Sequence, residues 1–132
     1  MKKTIKVVAA IIENEDSEIL CALRSSRMSI PNHWEFAGGK VEIGEDIFHA
    51  IEREIQEELN CSVNAIKVFD DSVHEYDDNF VNLISIKCAL ISGTPTATEH
   101  SKLIYLRREN LSSLNWAPAD LNAVNKLLDE KM

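Results

Sequence analysis

Basic residues are scarce in this chain, with 14 Lys and Arg against 22 Asp and Glu, a formal net charge of −8. A field of that sign offers no long-range attraction to DNA, RNA or anionic lipid, so neither a nucleic-acid polymer nor a membrane surface is an expected partner. Cysteine is equally sparse. Cys21, Cys61 and Cys88 are odd in number and scattered, with no CxxC pair. That pattern argues against a disulfide framework or a zinc site and suits free thiols in a reducing cytoplasm. Long apolar runs are missing too: the best, Val7 to Ile12, is six residues, against the roughly 20 that a membrane helix needs. Lys2 and Lys3 before it give a faint likeness to a secretory leader, but the run enters Glu13, Glu15 and Asp16 with no small-residue cleavage site. It reads as a buried strand. Repeats, low-complexity tracts and Pro/Gly/Ser-rich linkers are absent, so one domain over 1–132 is expected, long enough for one sizeable core.

What is present alternates between strand and helix patterns. A β-branched apolar run over 6–13, turn chemistry at Asn14-Glu15-Asp16-Ser17 and a second run over 18–23 predict a hairpin. A loop over 25–32 leads to a short strand at 34–36 that runs into Gly38-Gly39. The clearest helix covers 46–59, where Ile47, Ile51, Ile55 and Leu59 draw one apolar stripe. Glu45 and Asp46 suit the positive end of its dipole, and Asn60 suits a left-handed C-terminal cap. Further strands are read over 62–69, 72–76, 80–91 and 102–106. A second helix is read over 119–130, with Leu121, Val124, Leu127 and Leu128 inward. The class is α/β, a sandwich with a mixed β-sheet between helices.

Glu54, Glu57 and Glu58 fall at i, i+3 and i+4 of the first helix, so three carboxylates share a face. Like charges so placed cost roughly 0.2–0.5 kcal/mol, and no lysine on the stripe offsets them. Clustered hard oxygens are what magnesium or manganese requires, and magnesium commonly bridges carboxylates to substrate phosphates. On so acidic a chain, a phosphate substrate needs such a local cation. Gly38-Gly39-Lys40 and Gly44 lie just before the helix, where glycine permits close backbone approach and positive φ.

The spacing Gly39-x5-Glu45-x7-Arg53-Glu54-Ile55-x-Glu57-Glu58-x-Asn60-Cys61 resembles the 23-residue Nudix box, G-x5-E-x7-R-E-U-x-E-E-x-G-U with U aliphatic. Trp34-Glu35-Phe36-Ala37-Gly38-Gly39-Lys40 and Trp116-Ala117-Pro118-Ala119-Asp120 are similar to segments of MutT-type members, so the likeness covers nearly the whole chain. Asn60 replaces the box glycine, Cys61 an aliphatic residue that it can match as a small hydrophobe, and Ala37 a common proline. None of these removes a ligand.

The resemblance implies magnesium-dependent, or manganese-dependent, hydrolysis of a (deoxy)nucleoside triphosphate to a monophosphate and pyrophosphate, by a monomer or homodimer. Glu54 and Glu58 become metal ligands, helped by Glu57 and the Gly38 carbonyl. Arg53 would hold Glu54 by a charge-assisted hydrogen bond, or be a plain surface ion pair, and Glu45 would steady the loop–helix junction. Glu99 matches a loop glutamate that binds metal or activates water, or is an exposed acid. Arg24 and Lys40 are candidates for the phosphates, with Glu35 and Gly39 also on the substrate side. Trp116 stacks on a base or packs in the core. Asp120, where MutT has asparagine, accepts a hydrogen bond from the base or caps the last helix. An oxidised purine such as 8-oxo-dGTP and a CTP-type pyrimidine compete as substrate, and a non-catalytic Nudix module is the other class. His33, His49, His74 and His100 share no spacing and receive no catalytic role, and Cys21 and Cys88 are read as packing residues.

Overall fold

The apolar run near the N-terminus is buried on both faces from Val8 to Ile12, and a strand buried on both faces needs a neighbour on each side. In the computed structural model, which describes residues 2–130, it has them; residues 1, 131 and 132 of the expected domain lie outside the described residues. Strand β1 (Lys3–Ile12) is followed by β2 (Glu18–Leu23), β3 (Trp34–Glu35), β4 (Gly38–Lys40), helix α1 (Ile47–Leu59), β5 (Ser62–Glu75), β6 (Asn79–Ser92), β7 (Lys102–Arg107) and α2 (Leu121–Asp129). A mixed sheet runs β4-β1-β6-β5, and a second, three-stranded sheet runs β3-β2-β7. β1 pairs parallel with β6, from Lys3 opposite Asn79 to Ile12 opposite Cys88, and antiparallel with β4.

The mixed sheet is packed between helices as expected. Val8, Ala10 and Ile12 face the core that takes Ala50, Ile51, Ile55 and Leu59 of α1. Ala9 and Ile11 point the other way, into the core that takes Ala123, Val124 and Leu127 of α2. The strand's two-residue period thus feeds both helical layers.

Three expectations are corrected. β1 and β2 do not form a hairpin: only Glu13 and Ile19 bridge, and β2 leaves for the second sheet. The Asn14 side chain accepts from the N–H groups of Asp16 and Glu18, and Ser17 sits at φ 63, which turns the chain out of the first sheet. The strands read over 62–69 and 72–76 are one strand, because bulges near Ala65/Lys67 and Val68/Asp70 absorb the polar Asp70-Asp71 pair. The last helix is shorter than 119–130. Pro118–Asp120 form a 3₁₀ turn first, and Leu121 and Leu128 are 45% and 38% exposed rather than inward.

Helix α1 follows local chemistry closely. Asp46 is its N-cap, accepting from the N–H groups of Phe48 and His49, and Asn60 closes it at φ 52. No helix among the described residues is long and apolar enough to cross a membrane.

Candidate active site

The two glycines of β4 are required by contact, not by φ. A β-carbon on Gly38 would land on the carbonyl oxygen of Val8, and one on Gly39 would land on the carboxylate of Glu54. The strand's backbone and the helix's acid therefore share one space. The Glu54 side chain is 13% exposed, and burial pushes its carboxyl above the usual range.

Glu58, one turn on, is pushed up in the same way. Burial is the main cause, opposed by His100 and reinforced by Glu99, Glu54 and Glu35. Its Oε2 is buried with no hydrogen-bond partner. Glu57 turns away, with its side chain 61% exposed and drawn to Arg53 at 3.1 Å.

Arg53 pairs with Glu54, but its shorter bonds go to other partners. It donates to both oxygens of Glu45, at 2.7 and 2.8 Å, and to the Lys40 carbonyl at 3.2 Å, while Glu54 lies 3.5 Å from its Nη1. The short, paired bonds go to Glu45, whose pKa they lower to about 2 with help from the Glu42 N–H. Arg53 therefore staples the Gly44–Glu45 turn to α1, and Glu45 serves the loop–helix junction. His49 also contacts Glu45, at 2.9 Å.

A cleft of about 670 Å³ opens beside this helix, within the range of small-molecule sites. Gly39, Lys40, Glu58, Arg24, Glu35 and Asp120 are among its lining residues. Lys40 is exposed there. Arg24 is already engaged, donating to Glu35 at 2.7 Å and to the Ser29 carbonyl at 2.7 Å, so a phosphate would compete with an existing ion pair. Asp120 is 5% exposed and accepts from the Phe36 N–H at 3.2 Å. Burial, with Glu35 adding to it, raises its pKa well above the usual aspartate range. It makes no side-chain cap bond to α2, so the capping reading does not hold. Trp116 is no base stacker here. It is 5% exposed, packs on Phe36 at 4.8 Å between centroids, donates its indole N–H to the Leu111 carbonyl, and is not among the cleft's lining residues. Glu99 is exposed beside Ser25, Arg27 and Thr98, near enough to Glu58 to act on its charge.

His100 joins this site without warning from the sequence, where it lies in a loop with no periodic partner. Its side chain is 1% exposed and its Nε2 sits 2.7 Å from Glu35 Oε2. All three cysteines are buried and free, and burial pushes Cys21 and Cys88 up to about 12.

No three His, Cys, Asp or Glu side chains among the described residues converge closely enough to hold a metal ion by themselves. The donors present nonetheless fit a hard divalent cation. Glu54 fills the space that Gly39 leaves, and Glu58 keeps a buried oxygen unpaired. Magnesium completes its shell with water and substrate phosphates, so two carboxylates suffice on the protein side.

A mixed sheet between α1 and α2, with a glycine strand at one cleft and paired glutamates of α1 beside it, defines the Nudix class of fold. The solution structure of a MutT protein described as a Nudix hydrolase, from methicillin-resistant Staphylococcus aureus 252, matches with a TM-score of 0.80 at 47% identity, covering 99% of this chain and 100% of that one. The chain belongs to the Nudix hydrolase family: the NUDIX domain model matches residues 3–129. It is 36% identical to the CTP pyrophosphohydrolase of Escherichia coli strain K12 over 119 residues, 90% of this chain and 87% of that protein. It is 28% identical to the 8-oxo-dGTP diphosphatase of the same strain over 125 residues, 95% and 97% of the two chains.

Proposed function

We propose that this chain hydrolyses a nucleoside triphosphate to the monophosphate and pyrophosphate, with its chemistry at the Glu54–Glu58 face of α1. The observation that carries this reading is the pair of half-buried carboxylates, Glu54 pressed onto the cleft residue Gly39 and Glu58 lining the cleft with an unpaired oxygen. Charge left so poorly solvated is costly unless a cation completes it. Bound magnesium or manganese would neutralise phosphate charge and acidify water. Glu54 and Glu58 hold it with the Gly38 carbonyl, Lys40 meets the phosphate chain, and Glu99 stands in the adjoining loop to accept the proton of the attacking water. The substrate is a free nucleotide, and buried free thiols fit a cytoplasmic location.

Asp120 is the candidate base reader. Its burial favours the protonated carboxyl, which donates and accepts as the amide of asparagine does. Such a group matches the O6/N–H edge of an oxidised guanine, the class of base we favour. It also matches the amino/N3 edge of cytosine. The 36% identity to a CTP pyrophosphohydrolase supports that second reading. The complete glutamate set argues against a non-catalytic module.

The test is pyrophosphate release across guanine, oxidised guanine, adenine and cytosine triphosphates, with magnesium or manganese. At least one should be hydrolysed, and only with metal. No release from any of them would remove the enzymatic reading. Asp120→Ala, which can neither donate to nor accept from the base, should shift the ratio of kcat/KM between bases by roughly tenfold or more while changing kcat less. An unchanged ratio would take Asp120 out of the base pocket.

A further inference from the structure

We propose that His100 is a positioning residue that couples Glu35, on the nucleotide side of the cleft, to Glu58 on the metal side. The inference rests on the reading of Glu58 as a metal ligand and deepens it.

The imidazole lies between two carboxylates. Its Nε2 is 2.7 Å from Glu35 Oε2, and its Nδ1 faces Glu58 Oε2 at 4.0 Å. Glu35 uses its other oxygen to accept from Arg24 at 2.7 Å. Arg24, Glu35, His100 and Glu58 therefore form one row. His100 Nδ1 and Glu58 Oε2 are also two of the buried polar atoms that lack a hydrogen-bond partner. Buried polar atoms without partners are rare in folded proteins, and two facing one another across a gap mark a place where a third group, or a small closure, completes the contact.

The loop that carries the ring is pinned rather than draped. The Thr96 N–H donates to the Leu59 carbonyl at 2.9 Å, the Thr98 hydroxyl to the Glu58 carbonyl at 2.7 Å, and the Ser101 N–H to the Leu23 carbonyl at 2.9 Å. These bonds fasten the segment to the C-terminal turn of α1 and to the end of β2. The ring is thereby held against the ligand helix by backbone, beside the side chain of Glu58. A histidine that only filled space would not need one nitrogen on Glu35 and the other aimed at Glu58. Groups that orient a ligand in this way commonly change metal affinity or activity by about 10–100-fold when removed.

The two nitrogens can be tested apart. A Gln at this position places its amide near the ring's Nε2, and an Asn places its amide near Nδ1. Binding of Mn2+ to the nucleotide-free protein, read by the paramagnetic resonance of free Mn2+, is measured beside kcat and KM for His100→Ala, His100→Gln and His100→Asn. His100→Ala should weaken Mn2+ binding and raise the nucleotide KM, each by roughly tenfold. His100→Gln should recover the KM but not the Mn2+ affinity, and His100→Asn should do the reverse. Three folded variants with parental Mn2+ affinity and KM would overturn the proposal. So would unfolding of all three, or equal losses that neither amide rescues, since each marks the ring as packing alone. A parent that binds no Mn2+ removes the ligand reading of Glu58 and this inference with it. A parent that binds Mn2+ beside unaffected variants removes the inference only.

Discussion

Gly39 and Glu54 share a space that admits a hydrogen on one side and a carboxylate on the other. Gly39→Ala adds a methyl group where the carboxylate sits, so either β4 or Glu54 must move. Overpacking of that kind costs about 1–3 kcal/mol when the surroundings cannot yield. Here the flexible partner is Glu54, so the loss should fall on function more than on the fold. We expect kcat to drop by about a hundredfold while Tm falls by only a few degrees. Kinetics beside a thermal melt decide the matter. Parental kcat in Gly39→Ala would show that Glu54 works from another position. The neighbouring glutamates divide by what surrounds them: Glu45 is held ionised by Arg53, whereas Glu54 and Glu58 are held in poor solvent. The first arrangement stabilises a turn, and the second leaves charge for a cation to complete.

At the scale of the element, α1 is folded by one face and charged on another. Ala50, Ile51, Ile55 and Leu59 are fully buried, each large aliphatic side chain contributing roughly 1.5–3 kcal/mol on burial. That anchoring lets the edge beside the buried stripe carry Glu54 and Glu58 at i, i+4, a pair that alone disfavours the helix by about 0.2–0.5 kcal/mol. Glu58→Gln without metal should melt at the parent's Tm or about 1–3 °C above it, since one charge and its desolvation are removed. With metal, the parent should rise and the variant should not, and hydrolysis should fall by about a hundredfold or more. A metal-free variant that melts well below the parent would mean that the Glu58 carboxylate supports the fold instead. α1 was legible in the chain because its determinants are local: the Asp46 cap, the four-residue stripe and the αL-tolerant Asn60. α2 was less so. Its start depends on Pro118 opening a 3₁₀ turn, and the exposure of Leu121 and Leu128 depends on where the second core ends.

For the whole molecule, a net charge of −8 and three carboxyls raised by burial set the response to pH. Glu54, Glu58 and Asp120 bind protons more tightly folded than unfolded. Metal-free stability therefore declines as pH rises from the unfolded carboxylate values of about 4 toward each folded value. Glu45 works in the opposite sense: its contribution is complete above about 4 and is lost as pH falls toward its folded value of about 2. The metal-free protein should thus melt at a higher temperature near pH 5 than near pH 8, and Asp120→Asn should flatten that slope. Melting curves across the range test it, and a parent more stable at pH 8 would contradict the assignment. Magnesium at a hundred times its Kd should add about 2.7 kcal/mol at neutral pH.

By itself, the sequence determined the family, the α/β class, helix α1 with its Asn60 C-terminal cap, and the acids that α1 presents. All of these follow from spacing along one element or from short contiguous motifs, so no fold is needed to see them. Only the tertiary structure decided which partners those residues have. It sent β2 to a second sheet instead of a hairpin with β1, because both edges of β1 are taken by β4 and β6. It gave Arg53 its short bonds to Glu45 beside a longer ion pair to Glu54, placed Trp116 in the core, and buried Asp120 at the cleft without a capping bond. It also brought His100 onto Glu35, 65 residues away in the chain. Contacts of that separation depend on how sheets stack and where loops are pinned, and no local pattern records them.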